Sequence, residues 1–238
     1  MADPYAVKVF KTNKEGIYQP GCCENGLFPC LPTSMIIIGK SGSGKTNALM
    51  NMLNNENMLK GAFDYTYLFS GIKPDPELIK PLNLPKNQVF NDFKEEDVSK
   101  IMDKMEKSVD KVGMSKTPSV LFLFDDILGK PKFLRSSTMS KLITTNRHMN
   151  ITCILLSQYF RKLPPVIRTN ASYYMIFPSS LVELEKVADE LCPPRMTKNR
   201  FIELMQIATK DKYNFISINT KCDPDMSLRK NFGQIFNL

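Results

Sequence analysis

Along this 238-residue chain, short and almost wholly apolar runs alternate with stretches whose apolar residues recur every three or four positions. The runs lie at 35–38, 120–124, 151–156 and 173–177. Residues 63–69 alternate aromatic positions, and 213–218 form a last segment of the same kind. A segment that is apolar at nearly every position reads as a strand covered on both faces, because a strand with one face in water alternates. Helical spacing falls between the runs. Leu49, Met50, Met52 and Leu53 predict a helix over 47–59. Val98, Ile101, Met102, Met105 and Val109 share one face of a helix that follows Asp92, with Asp92 and Glu95 spaced as a capping box. Further helices are predicted over 137–148, 181–191 and 197–209. Pro74, Pro76, Pro81 and Pro85 make 71–90 loop-like. Pro20, Gly21, Gly26, Pro29 and Pro32 make 1–33 an irregular N-terminal arm. The organisation predicted is that arm, an α/β domain over 34–220 and a C-terminal tail over 221–238. Strands and helices that alternate in this way predict a mostly parallel central sheet with helices on both faces.

Chemistry enters between the first strand and its helix. Gly39, Lys40, Ser41, Gly42, Ser43, Gly44, Lys45 and Thr46 spell a nucleotide phosphate-binding loop, so the domain is read as a P-loop NTPase. The glycines let the backbone turn its N–H groups toward phosphate oxygens, and the helix that follows adds its positive dipole end. Lys45 supplies a full charge to the β- and γ-phosphates of ATP, and the Thr46 hydroxyl ligates Mg²⁺. The run 120–124 ends in Asp125 and Asp126. A buried strand closed by two carboxylates provides a partner for the metal, Asp125, and a general base for the attacking water, Asp126. Hydrolytic relatives usually carry Glu in the second place, so the shorter Asp126 must approach more closely or act through another water. Gln158, at the end of the run 151–156, has an amide able both to donate and to accept at the γ-phosphate and the water. Arg147 and Arg168 are the candidate cations for the charge that develops during phosphoryl transfer.

Composition narrows the class only a little. A net charge of +8 favours an anionic partner such as nucleic acid. Basic groups occur at Lys130, Lys132 and Arg135, at Arg161 and Lys162, and at Arg195, Lys198 and Arg200. No stretch reaches the run of about 20 apolar residues that spans a membrane, and the first residues lack a basic-then-apolar leader. Cys22, Cys23 and Cys30 cluster without the paired spacing of a zinc site, and His148 is the one histidine. The cysteines read as reduced thiols in a cytosol-like compartment.

Several segments together resemble the FtsK–HerA superfamily of DNA-pumping ATPases, and within it the genome-packaging ATPases of poxviruses, other large cytoplasmic DNA viruses and virophages. They are the phosphate loop, Phe124-Asp125-Asp126, the stretch from Asn146 through Arg147 and His148 to Thr152, and the stretch from Leu156 through Gln158 and Arg168 to Asn170. The likeness spans roughly 33–178. It implies the additional-strand, RecA-like (ASCE) sheet order, with the Gln158 strand between the phosphate-loop strand and the Asp125 strand. It further implies self-association into a ring, a pentamer or hexamer, around double-stranded DNA, with ATP hydrolysis pumping DNA into a capsid through a capsid or portal partner. The implied place of work is the host-cell cytoplasm, a viral factory or the virion. Arg147 would be the trans-acting finger and Arg168 the second choice.

Other readings compete. Residues 126–129 fit Asp-x-x-Gly, and Thr220-Lys221-Cys222-Asp223 fits the guanine-reading motif of a GTPase, but Asp126 lies about 80 residues past the phosphate loop, too far for a small GTPase. A nucleotide kinase would need an arginine-bearing lid, which no segment supplies. A DNA-binding structural protein with a vestigial nucleotide site is disfavoured by intact Lys45, Thr46 and Asp125.

Overall fold

The computed structural model describes residues 26–71, 73 and 76–236. Five strands carry the centre: β1 (Ser34–Ile38), β2 (Tyr65–Ser70), β4 (Val120–Asp125), β5 (Ile151–Ser157) and β6 (Tyr173–Ile176). With β3 (Val89–Phe90) at one edge, and β7 (Ile216–Asn219), β8 (Leu228–Lys230) and β9 (Gln234–Ile235) at the other, they form one nine-stranded sheet in the order β3-β2-β4-β5-β1-β6-β7-β8-β9. The pairs from β3 to β6 are parallel, and the last three strands add antiparallel. The β5 strand thus lies between β1 and β4, which is the additional-strand order.

The apolar runs are explained by burial on both sides. Ile36 and Ile38 of β1 face one core with Phe122 and Phe124, while Met35 and Ile37 face the other with Leu121 and Leu123. Helix α1 (Lys45–Asn54) covers the second face. The first is covered by α3 (Glu95–Val112), α5 (Ser137–Thr145), α7 (Leu181–Leu191) and α8 (Lys198–Ala208). Acidic residues Glu95, Glu96 and Asp97 in the first turn of α3 and Lys111 in its last turn complement the helix dipole. Val98, Ile101, Met102 and Met105 are the buried stripe of that helix, as their spacing predicts.

Some local expectations are overturned. The Asp92–Glu95 capping box does not form. Lys94 is the N-cap of α3 without a side-chain bond, Asp92 accepts the Phe93 N–H and pairs with Lys130, and Glu95 accepts from Thr138. Residues 71–90 are not all loop, because they contain α2 (Pro76–Leu82), with Pro81 inside it, and β3. Beyond 220 the chain returns to the sheet as β8 and β9, where Leu228 is fully buried against the core. At the other end, Leu27, Phe28 and Leu31 pack under the sheet beside α1, with Phe28 5.0 Å from Tyr173 between ring centres. Cys22, Cys23 and the first part of the arm, through residue 25, lie outside the described residues. Cys30, Cys153, Cys192 and Cys222 are free thiols. Among the described residues, no helix is long and apolar enough to cross a membrane.

Candidate functional site

The parallel strands β1, β2, β4, β5 and β6 end at one rim, and the phosphate loop leaves β1 there. The Gly39 N–H donates to the carbonyl of Ser157 at the end of β5 (3.1 Å), which ties the loop's first residue to the neighbouring strand. Gly39 has no room for a side chain: a Cβ would stand 2.5 Å from Ser43 Oγ and 2.7 Å from Phe177 Cβ. Gly44 closes the loop with φ +100° and is the N-cap of α1, a conformation that favours glycine. Lys45 opens the helix, and its Nζ reaches back to the carbonyls of Gly39 (2.5 Å) and Lys40 (3.0 Å). Burial holds the Lys45 ammonium below the usual lysine range, while Asp125 and Asp126 act in the opposite direction.

Ser41 through Asn47 line a cavity of about 670 Å³ together with Asp125, Asp126, Ser157 and Gln158. Adjacent strands deliver these groups: Asp125 is the last residue of β4, and Gln158 immediately follows β5. Asp126 has φ 51° and ψ 41°, a left-handed conformation that turns the chain sharply off the strand. Its Oδ1 accepts from Gln158 Nε2 at 3.4 Å, so the predicted base and the predicted water-positioning amide are in contact. The arrangement can hold a polyphosphate against backbone N–H groups and a lysine, with two carboxylates at one end of it. The Thr46 hydroxyl and the Asp125 carboxylate are hard oxygen donors of the kind Mg²⁺ takes.

The cavity also has lining residues that sequence reasoning missed, namely Lys73, Pro76 and Tyr213. Lys73 lies in a proline-rich stretch with no periodicity to mark it, on the flank of Asp125 and Asp126. Tyr213 falls at the start of the run 213–218 that the sequence predicts as a strand, whereas β7 begins only at Ile216.

The two arginines are not in the cavity. Arg147 belongs to the 3₁₀ turn Asn146–Met149 that precedes β5, and is therefore at the opposite end of the parallel strands. It is exposed and donates to Ser172 Oγ at 3.2 Å. Arg168, in α6 (Pro165–Asn170), is buried. Its Nε and Nη2 grip both carboxylate oxygens of Glu190 (2.8 to 3.1 Å), and Nη1 donates to the Leu163 carbonyl and, at 3.5 Å, to that of Arg161. Burial tends to raise the Glu190 carboxyl, but the bonds from Arg168 and Lys186 outweigh it and hold the group below its usual value. Each guanidinium nitrogen is engaged within the chain, so Arg168, the second-choice finger, serves in this structure as an internal clamp. The clamp secures the segment after Gln158. Glu183 of α7 holds the same segment: its buried Oε2 accepts the N–H groups of Phe160 (2.8 Å) and Arg161 (3.3 Å). Its Oε1 stands 2.8 Å from Arg161 Nε, close enough for an ion pair though outside hydrogen-bond alignment.

The guanine-reading match at 220–223 also falls at the wrong end. β7 runs antiparallel to β6, so Thr220 follows it to the rim away from the phosphate loop, where its hydroxyl donates to the Ser172 carbonyl. Asp223 caps a 3₁₀ turn by accepting the Asp225 N–H.

Comparison with known proteins agrees with this architecture. The sequence is 25% identical over 193 residues to the DNA packaging protein OPG160 of variola virus, covering 79% of this chain and 68% of the viral protein. It is 25% identical over 152 residues to the uncharacterized protein 075L of invertebrate iridescent virus 6, covering 61% and 54% of the two chains. The fold matches the genome packaging NTPase B204 of Sulfolobus turreted icosahedral virus 2, solved with ATP-gammaS, at a TM-score of 0.58 and 14% identity over 83% of this chain and 96% of that one. It also matches EssC of Geobacillus thermodenitrificans at a TM-score of 0.55 and 15% identity, over 86% and 39% of the chains. The poxvirus A32 protein family matches residues 30–226, most of the chain, and this protein belongs to that family.

Proposed function

We propose that this chain is an ATPase that drives double-stranded DNA, working as a viral genome-packaging motor in the host-cell cytoplasm, a viral factory or the virion. The observation that carries the reading is the meeting of the phosphate loop, Asp125, Asp126 and Gln158 on one cavity, in a chain with a relative named as a DNA packaging protein. ATP lies with its phosphates along residues 39–46 and its γ-end toward Gln158. Thr46 and Asp125 would hold Mg²⁺, which would offset charge on the phosphates. Asp126 accepts the proton of the attacking water, and Gln158 orients that water.

A motor that moves DNA of any sequence contacts phosphates. Arg135, Arg161 and Lys162 line a groove of about 310 Å³. Its walls are the segments that continue from Asp126 and from Gln158, so a phosphate held there is linked through a few residues to the hydrolytic groups. Arg161 already pairs with Glu183, as Arg195, Lys198 and Arg200 of the other basic group pair with Asp225, Asp189 and Glu203, so Arg135 and Lys162 are the cations to test. The decisive experiment is steady-state ATP hydrolysis with and without long double-stranded DNA, over a range of salt. Turnover rises with DNA, and the stimulation fades as salt strips the DNA away. An Arg135→Ala/Lys162→Ala variant keeps basal turnover and needs more DNA. Turnover indifferent to DNA sinks the motor reading and returns the kinase and GTPase readings to the front. DNA binding without turnover would favour a structural protein with a vestigial site.

In a ring, Arg147 is the finger supplied to a neighbour's cavity, which must then face the β5 N-terminal rim of the donating subunit. Arg147→Ala keeps ATP affinity and loses hydrolysis by about 10³-fold. Mixing it with Lys45→Ala protein restores part of the activity, and full turnover by Arg147→Ala alone would refute the assignment. Arg168→Ala behaves differently, costing about 3 kcal/mol of stability by leaving Glu190 with Lys186 alone and the Leu163 carbonyl without its guanidinium donor, as seen by denaturant unfolding. The ring and its capsid or portal partner are part of the same proposal.

A further inference from the structure

We infer that Tyr213 is the platform on which the nucleotide base stacks, a subsite that rests on the nucleotide-binding reading above. The sheet order sets the direction. Asp125 and Gln158 come from β4 and β5, on one side of β1, whereas Tyr213 precedes β7, two strands beyond β1 on the other. Phosphates that run along the loop with their γ-end at Asp125 therefore leave the sugar and base on the Tyr213 flank.

The residue is built for contact with something in that cavity. Its side chain is an aromatic left 54% exposed, next to the phosphate loop: a Cβ on Gly44 would stand 3.2 Å from Tyr213 Cδ1. Its backbone is left-handed, φ 69°, an uncommon and strained state for an aromatic residue. The turn is held in that state by a bracket from beyond β8. Asn231 Oδ1 accepts the Phe215 N–H (3.0 Å), and Asn231 Nδ2 donates to Asn214 Oδ1 (2.9 Å). Asn214 in turn bonds Asp211, which also pairs with Lys230. Lys212 Nζ lies over the ring, 4.7 Å from its centre. Strain maintained by this many side-chain bonds, at a position whose ring is otherwise half in water, marks a group fixed in place for a ligand. A ring offers its face to any purine, so stacking here adds affinity without choosing adenine over guanine.

The test compares ATP, GTP and inorganic tripolyphosphate on the purified full chain by calorimetry. Tyr213→Ala weakens ATP and GTP about tenfold or more, leaves tripolyphosphate unchanged, and Tyr213→Phe restores the wild-type values. ATP affinity unaltered by Tyr213→Ala overturns the inference. So does an equal loss for tripolyphosphate, which would make Tyr213 a mere support for the phosphate loop. A wild-type chain that binds none of the three overturns the nucleotide reading itself, an outcome distinct from both.

Discussion

Lys45→Ala protein folds but binds ATP ten- to a hundredfold more weakly and hydrolyses it at least about 10²-fold more slowly. Lys45 lies at the first position of α1, ahead of the buried residues Ala48, Leu49, Met52 and Leu53 that pack the helix. It begins α1 rather than packing the helix, and its bonds go to the Gly39 and Lys40 carbonyls of its own loop. Removing it therefore leaves the strand-loop-helix unit held by Gly39 to Ser157 and by the α1 residues Leu49 and Met52. What is lost is a full positive charge at the loop, where burial strengthens its attraction for phosphate. The same burial lowers the Lys45 pKa from its ordinary 10.5. The charged form is the one that binds phosphate, so affinity declines on the alkaline side at a lower pH than an ordinary lysine would give. Equilibrium binding of a fluorescent ATP analogue, with a thermal melt to confirm folding, reads both effects. Wild-type turnover in Lys45→Ala would remove the phosphate-loop assignment altogether.

The phosphate loop is legible from sequence because its geometry restricts residue type: only glycine fits at 39 and suits φ +100° at 44. The strands are legible for a related reason. Two-sided burial demands a continuous apolar run, and β1, β4 and β5 supply one. What escapes notice obeys no such restriction. β8 and β9 are short and largely polar, Leu-Arg-Lys and Gln-Ile, and take their strand identity from the edge they pair with. The helix at 76–82 hides behind its own prolines. Tyr213 belongs to a turn whose conformation depends on Asn231, eighteen residues later. Arg168 is the most instructive case, because a finger and a clamp are the same residue type. The difference lies in burial and in Glu190, which α7 brings to it from 22 residues away. The segment that carries the family resemblance, Leu-Pro-Pro-Val-Ile-Arg, therefore has a structural rationale of its own: it holds the basic stretch at 161–162 against the fold.

Asp126→Asn protein binds ATP as tightly as the wild type and hydrolyses it about 10²- to 10⁴-fold more slowly, the usual loss when a general base is removed. The left-handed backbone at this position makes the substitution a clean one. Asp and Asn are the residues that, after glycine, tolerate positive φ best, so Asn preserves the turn and the contact with Gln158 while removing the proton acceptor. The same backbone accounts for Asp here in place of the Glu usual among hydrolytic relatives. A chain that turns sharply at φ 51° presents even a short carboxylate to the neighbouring strand, within 3.4 Å of the Gln158 amide. Asp126→Glu then has two faults, a strained turn and a carboxylate thrust past the amide, and it loses both turnover and some stability. Rapid-quench hydrolysis, with separate measurement of ATP binding, distinguishes these effects. If Asp126→Asn turns over within about threefold of wild type, the base lies elsewhere and Asp126 serves only to hold Gln158. If instead it loses ATP binding along with hydrolysis, its carboxylate acts chiefly on the metal beside Asp125. Retained binding with lost chemistry is the outcome that the αL turn, the paired carboxylates and the amide on the next strand jointly require.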